Sequence, residues 1–142
     1  RRILTPHPGK VVRLPDCSPA EVEHDRFGAI ARAVELTGAV VVLKGPRTLI
    51  GTPDEVPVVN RAAAPVLATA GSGDVLTGIT AAFACSLEPR EAAFCAVHVH
   101  GLSALRWSEQ TGADRGMVAR EIADGVPEVL ASLAADAGML TD

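Results

Sequence analysis

A glycine-rich turn delivers a carboxylate onto the start of an apolar helix at Ala68-Thr69-Ala70-Gly71-Ser72-Gly73-Asp74-Val75-Leu76-Thr77-Gly78. Glycines at 71 and 73 lack the Cβ atoms that would hold a ligand away from the backbone. A helix starting here offers unpaired N–H groups and the positive end of its dipole to an anion. Asp74 then stands where a carboxylate can take a proton from a hydroxyl while a phosphate rests on those amides. The arrangement suits phosphoryl transfer. It also suits a plain tight connection with Asp74 as a dipole partner in the first turn, and the tetrad alone leaves both readings open. Two other phosphate motifs are absent. No Gly-Lys-Ser/Thr follows, as a P-loop requires, and Leu76 occupies the place of the third glycine in a dinucleotide fingerprint.

Further candidates lie elsewhere in the chain. Lys44-Gly45-Pro46-Arg47-Thr48 follows a β-branched run, so it is the exit loop of a strand. Gly45 permits close backbone approach, while Lys44 and Thr48 offer charge and a hydroxyl; a lysine there also serves as a solvated exit. His7 is held between Pro6 and Pro8, which exclude a helix and fix its direction. His98 and His100 invite a metal reading, but two residues apart on a helix they point to different faces, so no metal site is assigned. Trp107 reads as an anchor on a helix face.

The elements that must position these residues follow from pattern. Ile3-Leu4 is a strand stub, and the prolines around His7 make a rigid turn. Ser18-Pro19-Ala20-Glu21 has the form of a capping box with proline at the first helical position. One helix is expected from there to about Thr37, stopped by Gly38. Its apolar stripe is read as Phe27, Ile30, Ala31, Val34 and Leu36, with Asp25 wet. Residues 39–43 form a strand buried on both faces of a parallel sheet. Residues 48–51 and 56–60 form a hairpin. The helix after the glycine-rich loop, residues 73–87, is apolar on nearly every side and is expected to be buried centrally. Pro89 opens another helix to about Gln110. A last amphipathic helix, residues 118–135, is expected to be interrupted by Gly125 and Pro127, with a frayed tail after it. Alternating strands and helices mark an α/β layered fold.

Composition narrows the classes of function. The chain has 142 residues, 48% of them hydrophobic, and a formal net charge of -4, which argues against a nucleic-acid surface. No apolar run has the length of a membrane span and no signal peptide is visible. Cys17, Cys85 and Cys95 show no CxxC spacing and read as buried reduced thiols. A cytoplasmic protein is expected.

Three further elements occur in a telling order: Thr5-Pro6-His7-Pro8-Gly9-Lys10, then Val42-Leu43-Lys44-Gly45 with Thr48, then His100-Gly101-Leu102 after the glycine-rich loop. With them the chain closely resembles the ADP- or ATP-dependent NAD(P)H-hydrate dehydratases of the ribokinase-like superfamily, from Leu4 to about Leu133. The resemblance implies a three-layer α/β/α sandwich with a mostly parallel sheet. The family's domain is about twice this length, so residues 1–142 are expected to be the C-terminal portion of one domain. Further strands and part of the substrate pocket would lie in an N-terminal half.

The resemblance also implies roles. Asp74 would be the base that deprotonates the hydroxyl of the hydrated nicotinamide ring for attack on the nucleotide's terminal phosphate. Loss of that phosphate would restore NAD(P)H. Gly71, Ser72 and Gly73 would form an anion hole of backbone donors. Lys44, Gly45, Pro46, Arg47 and Thr48, with Gly73, would bind the nucleotide, while His7 and Asp74 would contact the hydrated dinucleotide, NAD(P)HX. His100-Gly101 would serve helix packing. ADP or ATP is the implied co-substrate, with Mg²⁺ on its phosphates, and relatives suggest a homo-oligomer. Pro46 and Arg47 depart from the small residues common in relatives, as do Arg61-Ala62-Ala63 where Gly-Asn-Pro is usual, Lys10 for Glu and Ala104 for Asp. Two alternatives stand beside this reading. One is a small-molecule kinase of the same superfamily, for a hydroxymethylpyrimidine or a sugar; the other is a non-catalytic nucleotide-binding module.

Overall fold

The strand Val40–Leu43 decides the architecture. All four of its residues are buried, and they alternate between two cores. Val41 and Leu43 pack with Val22, Ala29, Ile30 and Val34, whereas Val40 and Val42 pack with Ile50, Leu76, Ala96 and Val97. Side chains of a strand point to opposite faces with period two, so this run must sit in a middle layer with helices on both sides. Each such Val or Leu contributes about 1.5–3 kcal/mol on burial. The structure, a computed structural model, describes residues 2–6, 18–53, 55–62 and 64–138.

Four strands, β1 (Ile3–Leu4), β2 (Val40–Leu43), β3 (Leu49–Gly51) and β4 (Val58–Val59), lie in that spatial order. β1 runs parallel to β2, with Ile3 beside Val40. β2–β3 and β3–β4 are antiparallel, so the expected hairpin is present and the described sheet is mixed. One face carries α1 (Pro19–His24) and α2 (Arg26–Thr37). The other carries α3 (Ser72–Ala84) and α4 (Pro89–Thr111), with α5 (Ala119–Asp136) packed on both of these.

Several expectations need correction. The helix expected from Ser18 to Thr37 is two helices. Ser18 and Glu21 form the capping box of α1, but Asp25 then caps a new helix by accepting from the Gly28 amide at 2.8 Å. A Cβ at Gly28 would lie 2.0 Å from Asp25 Oδ2, so this seating of the carboxylate uses the bare position. The break rotates the buried face of α2 to Ala29, Ile30, Ala33 and Val34, leaving Phe27, Ala31 and Leu36 exposed. Asp25→Ala is expected to cost about 1 kcal/mol, the usual worth of an N-cap, in equilibrium urea unfolding.

α3 is not buried centrally. Only Ser72, Leu76 and Thr80 are buried, a single stripe at four-residue spacing. Ala81, Ala82 and Ala84 face outward, and alanine tolerates that at little cost. α5 is not interrupted. It runs unbroken through Gly125 and Pro127, and it is tied to α4 one turn earlier, where the Ser103 hydroxyl donates to Ile122 O at 2.7 Å. Gly125 lets the helices meet, since a Cβ would fall 2.5 Å from Ser103 Oγ. Trp107 anchors a helix face as expected, and its indole N–H also donates to Glu121 at 2.9 Å. Cys85 is exposed and Cys95 half-buried, so neither thiol is buried as expected, because the outer side of α3 and part of α4 are uncovered. His7, Lys10 and Cys17 lie outside the described residues.

Candidate active site

Two loops and one buried histidine build the site. The exit loop of β2 begins at Lys44 and turns through Gly45, at φ 145°, and Arg47, at φ 54°. A non-glycine residue in the left-handed region is uncommon, so the loop holds Arg47 in a conformation its neighbours must enforce. Thr48 Oγ1 closes the turn on Gly45 O at 3.4 Å. The Lys44 side chain reaches across to the glycine-rich loop. A Cβ on Gly73 would lie 2.8 Å from Lys44 Nζ and 3.6 Å from its Cε. The absence of a side chain at 73 is therefore what admits the ammonium to the start of α3.

The glycine-rich loop enters α3 through Gly71, at φ 83°, a conformation that favours glycine. Its amides are not equivalent. Ser72 N–H turns back to Thr69 O at 3.3 Å and Asp74 N–H to Gly71 O at 3.0 Å. Among the described residues the Gly71 and Gly73 amides have no backbone acceptor. The Ser72 side chain is buried and faces α4. Asp74 is exposed in the first turn, and its carboxylate has no hydrogen bond or ion pair among the described residues.

His100 supports this loop from behind. Its Nε2 lies 3.0 Å from Ser72 O and 3.3 Å from Ser72 Oγ. A carbonyl oxygen only accepts, so Nε2 carries the proton. Burial pushes the His100 pKa below its ordinary value; the Ser72 carbonyl opposes that shift and the nearby Lys44 charge adds to it. The imidazole is therefore a neutral strut between α4 and the start of α3. Next to it Gly101 lets α4 approach Ala62, whose carbonyl accepts from Asn60 Nδ2 at 3.0 Å. A second tie joins β1 to α3: Thr5 Oγ1 and Thr77 Oγ1 are 3.0 Å apart, one turn beyond Asp74. A cleft of roughly 650 Å³ begins there, lined by Thr5, Thr77, Thr80 and Ala81; it takes in neither Lys44 nor Asp74.

The structure thus brings together Lys44, Gly45, Thr48, Gly71, Ser72, Gly73 and Asp74 at the end of β2 and the start of α3. Pro46 and Arg47 sit on the exposed outside of the same loop. A family model described as NAD(P)H-hydrate dehydratase matches residues 1–128.

The chain belongs to this family. It is 41% identical over 132 residues to the bifunctional NAD(P)H-hydrate repair enzyme Nnr of Moorella thermoacetica, covering 92% of this chain and 25% of that protein. It is 43% identical over 122 residues to the ADP-dependent (S)-NAD(P)H-hydrate dehydratase of Neisseria meningitidis, covering 85% and 41%. Among solved structures, the ADP/ATP-dependent NAD(P)H-hydrate dehydratase of Bacillus subtilis co-crystallised with ATP/Mg²⁺ superposes with a TM-score of 0.86 at 32% identity, over 92% of this chain and 47% of that one. A ribokinase-like superfamily protein of Enterococcus faecalis superposes with a TM-score of 0.70 at 26% identity, over 89% and 43%. The fold is the ribokinase-like α/β fold, and the chain spans a quarter to a half of the length of these relatives.

Within the dehydratase family's motifs, reading the residues alone missed two partners. One is the Ser72–His100 strut, hidden because a helical His-Gly pair reads as packing. The other is Arg26, at the first position of α2, which bonds the carbonyls of the β2 exit loop. The Asp25-x-x-Gly28 cap was the signal that a helix starts there. Gly73→Ala tests the Lys44 contact. The lysine tip can swing aside, so folding is retained; on the nucleotide-binding reading proposed below, the KM for nucleotide is expected to rise about fivefold through one weakened charged contact. Steady-state kinetics with varied nucleotide reads this directly.

Proposed function

We propose that this chain carries the phosphoryl-transfer site of an ADP- or ATP-dependent dehydratase that repairs hydrated NAD(P)H. The observation that carries the reading is Lys44 Nζ against Gly73, beside Asp74, which joins a cation, backbone donors and an exposed carboxylate in one place. The Asp74 carboxylate takes the proton from the ring hydroxyl of NAD(P)HX as that oxygen attacks the nucleotide's terminal phosphorus. ADP leaves from ATP, or AMP from ADP. The ring hydroxyl has then become a phosphate ester, a good leaving group. The ring nitrogen lone pair expels the phosphate, and loss of a ring proton restores the dihydronicotinamide.

Each residue has a part. Lys44 and the Gly73 amide offset charge on the transferring phosphoryl group. Gly71 and Ser72 shape the anion-binding turn, with Ser72 held by His100. Gly45, Pro46, Arg47 and Thr48 line the nucleotide's path along the loop. His7 contacts the hydrated dinucleotide. In support, Thr5, two residues before His7 in the sequence, bonds Thr77, one turn beyond Asp74. Mg²⁺ fits as a companion of the phosphates. Among the described residues no cluster of three His, Cys, Asp or Glu side chains could hold a metal by itself. Mg²⁺ commonly keeps several waters and is held largely by substrate phosphates, which leaves Asp74 to act as the base. When bound, the ion neutralises phosphate charge.

The test is recovery of dihydronicotinamide absorbance from hydrated NADH or NADPH by the full-length protein, with ADP or ATP added. Recovery that depends on nucleotide is the expected result. A stable phosphorylated product from a hydroxylated small molecule, without recovery, would transfer the site to a kinase. Nucleotide binding with neither outcome would make it a binding module. No helix among the described residues is long and apolar enough to cross a membrane.

A further inference from the structure

Arg26 does something that a surface residue at a helix start does not. Its Nη1 donates to Pro46 O at 2.5 Å, and its Nη2 lies 3.2 Å from Leu43 O and 3.4 Å from Lys44 O. One guanidinium therefore grips three carbonyls along four consecutive residues of the β2 exit loop. Its Nε is buried and meets no hydrogen-bond partner among the described residues. The side chain is committed to this grip at the cost of a desolvated donor.

Two consequences follow from backbone geometry. Every described peptide bond is trans, and in a trans peptide the C=O and the following N–H point in opposite directions. Turning the carbonyls of Leu43, Lys44 and Pro46 towards Arg26 thus turns the amides of Lys44, Gly45 and Arg47 away from it. The direction of these three N–H groups is thus set by one side chain. The second consequence concerns Gly45. A Cβ at that position would lie 2.9 Å from Arg26 Nη2 and 3.2 Å from its Cζ. Glycine is needed there to seat the guanidinium, as well as for its φ of 145°.

We propose that Arg26 is a positioning residue for nucleotide binding. It presets the peptide planes of residues 43–47, so that the loop meets the nucleotide with its amides and Lys44 already oriented. Arg26 itself touches no substrate. The strained φ of 54° at Arg47 is part of the same arrangement, because the Pro46 carbonyl before it is pinned. A lysine cannot replace the function. Its single ammonium lacks the planar fork that reaches carbonyls on both sides of Gly45.

The inference rests on the nucleotide reading above, and its test separates the two. KM is measured in the full-length protein for nucleotide and for hydrated NADH, in the wild type, Arg26→Met and Arg26→Lys. Direct ATP binding is followed by calorimetry and folding by thermal melting. Arg26→Met, which keeps the aliphatic stem, is expected to raise nucleotide KM and Kd about tenfold. The KM for hydrated NADH should stay unchanged. Arg26→Lys should behave like Arg26→Met, and millimolar guanidinium should restore much of the ATP affinity of Arg26→Met. A purely structural role would show no such split and no rescue.

Equal ATP affinity in wild type and Arg26→Met would overturn the proposal. So would equal losses for both substrates, or full function in Arg26→Lys. If neither variant folds, ATP affinity of Gly45→Ala, which crowds the guanidinium from the other side, replaces them; unchanged affinity there overturns the proposal. Wild-type protein that binds ATP but fails to restore NADH overturns the reaction assignment alone, and the binding comparison still decides Arg26. Wild-type protein that does not bind nucleotide overturns both.

Discussion

Asp74→Asn is expected to lower kcat by about 10²- to 10⁴-fold, the usual worth of a general base. The affinity for nucleotide should stay close to wild type. The substitution is nearly isosteric, and Asp74 has no hydrogen bond or ion pair among the described residues that folding would miss. Its one structural service is charge near the start of α3, worth about 0.3–1 kcal/mol at an exposed position. The backbone bond from its amide to Gly71 O is untouched. Single-turnover recovery of dihydronicotinamide absorbance, with ATP binding measured beside it, isolates the chemical step. A loss below about threefold, half a kcal/mol or so, would remove Asp74 from the base's role.

Gly101→Ala is expected to destabilise the protein by about 1–3 kcal/mol, the range for overpacking a close contact. A Cβ at 101 would sit 2.6 Å from Ala62 O, 2.7 Å from Ala62 Cβ and 3.2 Å from Asn60 Nδ2. The first of these is backbone oxygen, which cannot swing aside as the lysine tip at Gly73 can. α4 or residues 60–62 must move. Either shift strains the Asn60 side chain, which donates to Ala62 O and, at 3.3 Å, to Val97 O. His100 is the neighbouring residue, so the strut to Ser72 should loosen as well and kcat should fall together with stability. Urea unfolding monitored by far-UV circular dichroism measures the first effect. A wild-type midpoint would show that α4 does not approach residues 60–62 this closely.

The middle layer was the most legible part of the chain. Residues 40–43 are three valines and a leucine, and a run apolar on both faces has few places to go except the centre of a sheet. The hairpin and the Pro89 start of α4 were equally open to reading, because turn residues and proline act locally. The helix break at Asp25 was hidden. An aspartate in an amphipathic pattern looks like part of the wet face, and only Gly28, three residues later, distinguishes a cap. α3 misled for a related reason. Ala, Gly and Thr count as tolerable in a core, yet they are just as stable at a surface, so composition could not say which side was covered. α5 passes through Pro127 while packed against α4, a tertiary contact that no local pattern contains.

At the site, legibility followed the same division. The loop that bears Asp74 and the loop that bears Lys44 were each readable from their own residues, because glycines at special positions are conspicuous. Their juxtaposition was legible only through the family resemblance, since it depends on the lysine crossing from one strand end to another helix start. The supports were less visible still. Arg26 and His100 act through carbonyls, and a backbone acceptor leaves no mark on the sequence of the residue that binds it.

The Trp107–Glu121 hydrogen bond makes the chain its own spectroscopic probe. Trp107 is the one tryptophan of the 142 residues and there is no tyrosine. Its indole packs against the same core as Val75, the residue after Asp74, while its N–H is held by the carboxylate that also accepts from the Val118 amide at the start of α5. Those two bonds hold the Glu121 carboxyl below its ordinary pKa, led by the one from Val118. The emission of this chain therefore comes from a single indole wedged where α4 meets α5. Any event that parts those helices changes its colour without a label.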